Sequence, residues 1–272
     1  MTVGTKSRLE IVRPAPSARV ALTSILVLAV VVAGLGVDWT GAMVHGGGMR
    51  AASEIARSLL TPDLSPGFLI VVGEATLVTV AYAISGMTVA VAVGLPGAVL
   101  VAGVLARRPW SRLASTVVAR GLFGALRAVH ELVWALLLLT ILGLTPIAGV
   151  LAIGIPYGAT LARVLGEHLQ NVAPEPLEAL RSCGATPWQA LAYARVPMAS
   201  ADILAYLAYR LECAVRAAAV LSFIGLGGIG YRLTLALADL RFDRVWPLLA
   251  VLVVLIACID TVSGRVRQGL PL

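Results

Sequence analysis

Between Glu131 and Arg163 the chain runs for 31 residues without a charged side chain. A helix crossing the hydrocarbon core of a bilayer takes about 20 apolar residues, so this stretch exceeds one crossing and falls short of two. The turn signal Gly143-Leu144-Thr145-Pro146 lies inside it, and the run reads as two helices, about 117–142 and 147–168. Arg127, His130 and Glu131 then fall within the membrane region. Comparable runs occur at Val20–Val37, at Phe68–Ala106 with Glu74 as its only charge, at about 198–223, and at Trp246–Val262. Gly94-Leu95-Pro96-Gly97 is expected to kink the second of these. Six crossings result. Five remain if the first segment is a removed signal peptide or the 117–168 hairpin is misread, although signal cores span about 7–15 residues and this one is longer.

Composition agrees with a chain dissolved in lipid. Of 272 residues 59% are hydrophobic and 13% charged, against about 45–50% and 25% in soluble domains. An ordinary soluble enzyme, a disordered chain and a disulfide scaffold are excluded. The formal charge is +7, with the arginines in short clusters between apolar runs, the pattern that sets membrane orientation and not that of a nucleic-acid surface. An even number of crossings puts both termini on one side, with Arg107, Arg108 and Arg112, which makes that side cytoplasmic. The Arg232–Arg244 connection then lies outside, its arginines partly balanced by Asp239 and Asp243. Cys183, Cys213 and Cys258 have neither disulfide nor metal spacing.

The polar stretch Glu167–Pro197 reads as helix, bend, helix on the cytoplasmic surface. Pro174-Glu175-Pro176 opens the first helix and Gly184 stops it. Thr186-Pro187-Trp188-Gln189 is a capping-box pattern starting the second, which Pro197 is expected to terminate. On composition alone this is an amphipathic surface hairpin. Its residues also resemble the coupling signature of ABC importer permeases: Glu-Ala-Ala, three residues, Gly, nine residues, then Ile-x-Leu-Pro. Glu178, Ala179, Gly184 and Pro197 match that signature, while Leu180, Ala194 and Val196 depart from it conservatively. Tyr209-Arg210-Leu211-Glu212, Val215-Arg216-Ala217-Ala218 and Gly225–Gly230 are similar to the fifth-helix pattern of phosphonate importer permeases. Arg127–Trp134 is similar to their third-helix motif, with His130 where that family usually has proline.

The resemblance implies an all-α polytopic bundle of about six transmembrane helices, a type I-like ABC importer permease with a cytoplasmic coupling helix. It divides the chain into a cytoplasmic tail (1–19), a first helix and external loop (20–68), a permease domain (69–264) with its coupling segment (170–197), and a cytoplasmic C-terminal tail (265–272). Glu178, Ala179, Gly184, Ala185 and Pro197 would engage a separate ATPase that uses ATP and Mg, this chain binding no cofactor. An external substrate-binding protein and a second permease copy, forming a homodimer in the inner membrane, complete the implied assembly. The implied cargo is a phosphonate or related phosphorus oxyanion. The alternatives are another small solute such as methionine, or a secondary transporter, which would be expected to show internal repeats.

No catalytic set is legible. A phosphate-binding loop needs a Gly-Lys pair, and Lys6 is the only lysine. His45, His130 and His168 are scattered, which leaves no metal-ligand pair. Gly225, Gly227, Gly228 and Gly230 sit in a formal G-x-G-x-x-G, but no strand precedes it, so it reads as a close-packed turn at the external face, in the resemblance an external gate. Arg127 and Glu131, Arg163 and Glu167, and Glu212 and Arg216 are each four apart and can meet on one helical face. They either neutralise one another or lend an arginine to a passing anion. Arg210 has no partner at that spacing and is the better candidate for the anion.

Overall fold

The computed structural model describes residues 16–36, 48–106 and 108–269. Among these every regular element is helical. The N-terminal basic residues through Arg13, His45, Arg107 and residues 270–272 lie outside the described residues. The chain divides into two units, Met1–Ser53 and Glu54–Leu272. The first holds α1 (Pro16–Leu35), whose Val20–Leu35 stretch is apolar and exposed, and the start of α2 (Gly48–Ser58).

The second unit contains α3 (Pro66–Ala102), α4 (Pro109–Ala128), α5 (Glu131–Leu142), α6 (Pro146–Gln170), α7 (Pro174–Ser182), α8 (Pro187–Ala190), α9 (Val196–Leu221), α10 (Ile229–Ala238) and α11 (Phe242–Gln268). Proline occupies the first position of α3, α4, α6, α7 and α8, where its missing N–H costs nothing and its fixed φ favours the helix. Four helical segments are long and apolar enough to cross a membrane, and α4–α5 makes a fifth if taken as one broken span. With α1 as a shorter apolar helix, the expectation of about six agrees.

The buried core lies between α3, α6 and α9. Along α3, Gly86, Ala90, Gly94, Ala98 and Ala102 recur every fourth residue, and Gly154, Gly158, Ala162 and Gly166 do so along α6. These small ridges let the two backbones approach. A Cβ on Gly94 would lie 2.6 Å from Leu161 Cβ, and one on Gly154 would lie 2.6 Å from Val89 Cγ1. The contacts advance together, Gly86 on Ile153, Gly94 on Leu161 and Gly166 on Ala98, so the two helices run parallel. The intervening α4–α5 must therefore return the chain to the end where α3 began.

That return differs from the single helix expected over about 117–142. It starts at Pro109 and breaks at Val129-His130, where α4 and α5 meet at a bend of 85°. His130 is extended there and caps α5, its Nδ1 accepting the Leu132 N–H at 3.2 Å. Trp134 Nε1 donates to the Leu126 carbonyl at 3.1 Å across the break, satisfying one of the acceptors that the end of α4 leaves open.

Pro197 does not terminate its helix either. Leu191–Arg195 forms a π-turn that leads directly into α9, with the Val196 N–H reaching back to the Leu191 carbonyl. The widened turn accommodates a ring that would collide with the carbonyl four residues earlier in a regular helix. Part of the Arg232–Arg244 connection is also helical, as the end of α10. By contrast α3 continues through Gly94–Gly97 to Gly103, whose φ of +61° closes it.

Gly94→Ala should lower the thermal unfolding midpoint of the purified chain in nanodiscs, because overpacking a close helix contact costs about 1–3 kcal/mol. Gly73→Ala on the same helix, where a Cβ meets nothing within 4 Å, should leave it unchanged or slightly raised.

Candidate functional site

The hairpin is built by two local motifs. Gly184, at φ +81°, ends α7 in a Schellman turn: its N–H donates to Arg181 O at 2.9 Å, and the Ala185 N–H donates to Leu180 O at 3.0 Å. Thr186 then opens α8 with a complete capping box, the Thr186 side chain accepting from Gln189 N and the Gln189 side chain accepting from Thr186 N. Leu177 is buried against Ala190 and Ala194, with Leu180 beside them. This seats one face of α7 on the start of the π-turn. Glu178 and Ala179 occupy the other face and are exposed. Arg195 donates to the Leu169 carbonyl, tying the π-turn to the end of α6.

A second cluster lies at the α4–α5 break. Arg127, His130, Glu131, Tyr157, Thr160 and Arg210 contribute to a cavity of about 340 Å³. The Arg210 guanidinium carbon sits 4.0 Å from the centre of the Tyr157 ring, a cation–π arrangement. Tyr157 is itself held by its hydroxyl, which donates to Cys213 O on α9 at 3.2 Å. Arg210 Nε is buried without a hydrogen-bond partner. Among the described residues Arg210 forms no ion pair, and its guanidinium lies over the Tyr157 ring.

The three expected pairs divide. Arg216 and Glu212 pair at 2.9 Å, and Arg163 and Glu167 at 3.2 Å. Arg127 and Glu131 form no ion pair among the described residues, because the break places them on different helices; Glu131 instead lies 3.6 Å from His130 Nε2. Glu212 and Arg216 do not line the cavity. Sequence reasoning missed Tyr157, since a lone tyrosine in an apolar run carries no local signal.

The glycine-rich turn joins α9 to α10. Gly225, Gly227 and Gly228 all have positive φ, and a Cβ on Gly228 would meet Thr79 Oγ1 at 2.6 Å. The first N–H groups of α10 are satisfied by buried hydroxyls: Ile229 N donates to Thr79 Oγ1 at 3.0 Å and Gly230 N to Ser222 Oγ at 2.8 Å. The turn therefore pins α10 to α3. At this same end, opposite the hairpin, Asp63 accepts from Arg244 Nε at 3.0 Å and lies 3.8 Å from Arg241. Hydrogen bonds from Ser65, then Arg244, hold its carboxyl below the usual range. Asp63 was not anticipated as a partner of these arginines.

The second unit is a helical bundle with a helix–turn–helix hairpin at one end. The chain belongs to the family described as binding-protein-dependent transport system inner membrane component, which matches residues 94–270. It is 31% identical over 221 residues to the phosphite transport system permease protein PtxC of Stutzerimonas stutzeri, covering 81% of this chain and 78% of that protein. It is also 31% identical over 195 residues to the phosphate-import permease protein PhnE of Mycolicibacterium smegmatis, covering 71% of this chain and 35% of that protein. Among solved structures, an inward-facing MetNI methionine ABC transporter aligns with a TM-score of 0.66 at 18% identity, over 77% of this chain and all of that one. That likeness concerns the fold.

Removing one member of the α9 pair should destabilise the protein. Glu212 is 9% exposed and Arg216 46% exposed, so Arg216→Ala should cost about 1–3 kcal/mol, less than for a fully buried pair. Arg216→Gln combined with Glu212→Gln should recover much of the loss in thermal unfolding.

Proposed function

We propose that this chain forms the membrane pathway of an ATP-driven importer for a phosphorus oxyanion. The observation that carries the reading is Arg210, a guanidinium with a buried, unpartnered Nε, held over Tyr157 beside a cavity that Arg127 also lines. A cation inside a membrane bundle is costly and marks a pathway. Here the Tyr157 face stabilises the resting charge while leaving its hydrogen-bonding fork open to an incoming oxyanion. Glu131, which also lines the cavity, keeps it from holding the anion too tightly. The names of the relatives, phosphite and phosphate permeases, support the same class of cargo; methionine is the alternative.

The exposed face of α7, with Glu178 and Ala179, and the turn at Gly184 and Ala185 form the seat for a separate ATPase. That partner supplies the ATP chemistry with Mg, and this chain is non-catalytic. Motion of the seat passes through the π-turn before Pro197 into α9, which carries Arg210. An external binding protein delivers the cargo, a second copy of the chain completes the pathway as a homodimer, and the termini lie on the cytoplasmic side. The glycine turn at Gly225, Gly227, Gly228 and Gly230 closes the external end.

Uptake of labelled phosphite or phosphonate by proteoliposomes holding the full complex tests the cargo site. Arg210→Gln should assemble normally and lose at least tenfold in uptake, and Tyr157→Phe should weaken it less. Normal uptake by Arg210→Gln removes Arg210 from the pathway. Uptake of methionine in place of the oxyanions overturns the class.

Coupling has its own test. A Cβ at Gly184 meets open space, but its left-handed backbone strains a β-branched side chain. Gly184→Val should therefore leave the chain in the membrane with the ATPase bound and uncouple ATP turnover from uptake.

A further inference from the structure

Where α3 gives way to α4, a cavity of about 720 Å³ opens between that connection and the inner face of the hairpin. Arg108, Arg112, Arg181 and Arg195 line it, and no acidic residue does. Among the described residues none of these arginines forms an ion pair. Arg112 and Arg181 both bring like charge to bear on the Arg195 guanidinium.

The arrangement is built. Gly103, in its left-handed conformation, leaves room for the Arg112 stem, since a Cβ there would lie 3.1 Å from Arg112 Cγ. Arg181 follows buried Leu177 by four residues, on the opposite side of α7 from Ala179, and lines the cavity. Arg195 is anchored through Leu169. Three separate elements thus bring guanidinium groups to one space, where like charges repel and, among the described residues, no carboxylate pairs with them. Trp110 and Trp188, each next in sequence to a lining proline, are both exposed.

We propose that this cavity binds a phosphate group, carried by a lipid headgroup or present as a free oxyanion, between the α3–α4 connection and the hairpin. The planar guanidinium fork matches phosphate oxygens in pairs, and basic pockets at the cytoplasmic ends of membrane helices suit anionic headgroups. A bound phosphate bridging Arg112 and Arg181 ties the hairpin to the bundle. The proposal is independent of what the pathway carries.

The test uses the full-length chain in nanodiscs and inorganic [32P]phosphate. In phosphatidylcholine discs, Arg112→Gln combined with Arg181→Gln should weaken binding at least tenfold. Arg181→Gln alone should give a partial loss, and Arg120→Gln, outside the cavity, no change. Adding phosphatidylglycerol should weaken phosphate binding several-fold more in the wild type than in the double variant if a headgroup fills the site, and equally in both if the ligand is a free oxyanion. Equal phosphate binding by wild type and double variant overturns the proposal. So does absence of phosphate binding together with equal phosphatidylglycerol retention by native mass spectrometry. Loss of ATPase-subunit capture in the double variant without either form of phosphate binding assigns the arginines to a protein contact and also overturns it.

Discussion

Close approach of α3 and α6 sets the position of everything else in the second unit. In lipid there is little hydrophobic gain from bringing two apolar helices together, so association relies on van der Waals contact between backbones. The four-residue recurrence of Gly and Ala on both helices supplies that contact, and Gly94 and Gly154 leave no space for a methyl group. Because the two helices run parallel, α4–α5 is forced to carry the chain back to the end where α3 began. The α4–α5 break then falls beside Pro156 and Tyr157 of α6 and Arg210 of α9, where the polar cavity forms.

Departures from regular helix place the polar groups. A backbone inside a membrane keeps its hydrogen bonds unless neighbouring groups replace them. At the α4–α5 break His130 Nδ1 and the Trp134 indole take that part. At the head of α10 the hydroxyls of Thr79 and Ser222 do. The π-turn before Pro197 carries the helix past a residue that would otherwise end it, and so joins the surface hairpin to α9 as one mechanical element. The hairpin is therefore continuous in backbone with the helix that holds Arg210.

Local signals were read well where the responsible chemistry is itself local. The capping box at Thr186, the stop at Gly184 and the helices that begin on proline involve residues within a few positions of one another, and they appear as expected. The Glu212–Arg216 and Arg163–Glu167 pairs follow from helical spacing alone. Arg127 and Glu131 have the same spacing and do not pair, since the extended conformation at Val129-His130 removes the geometry that the rule assumes. Pro197 departs from its expected role for a related reason: the rule that proline ends a helix takes the preceding turn to be α-helical, and here it is a π-turn.

The sequence by itself determined the class. Long uncharged runs demand lipid, and the Glu178–Pro197 segment spells out a helix–turn–helix hairpin, both through properties of contiguous residues. Tertiary structure alone decided which charges face one another. Arg210 meets Tyr157 from a helix 53 residues away, and Thr79 caps Ile229 across 150. Four arginines from three elements share one cavity. Such contacts depend on the register of α3 against α6 and on where helices break, which arise from packing among distant segments and leave no periodic trace in any one of them.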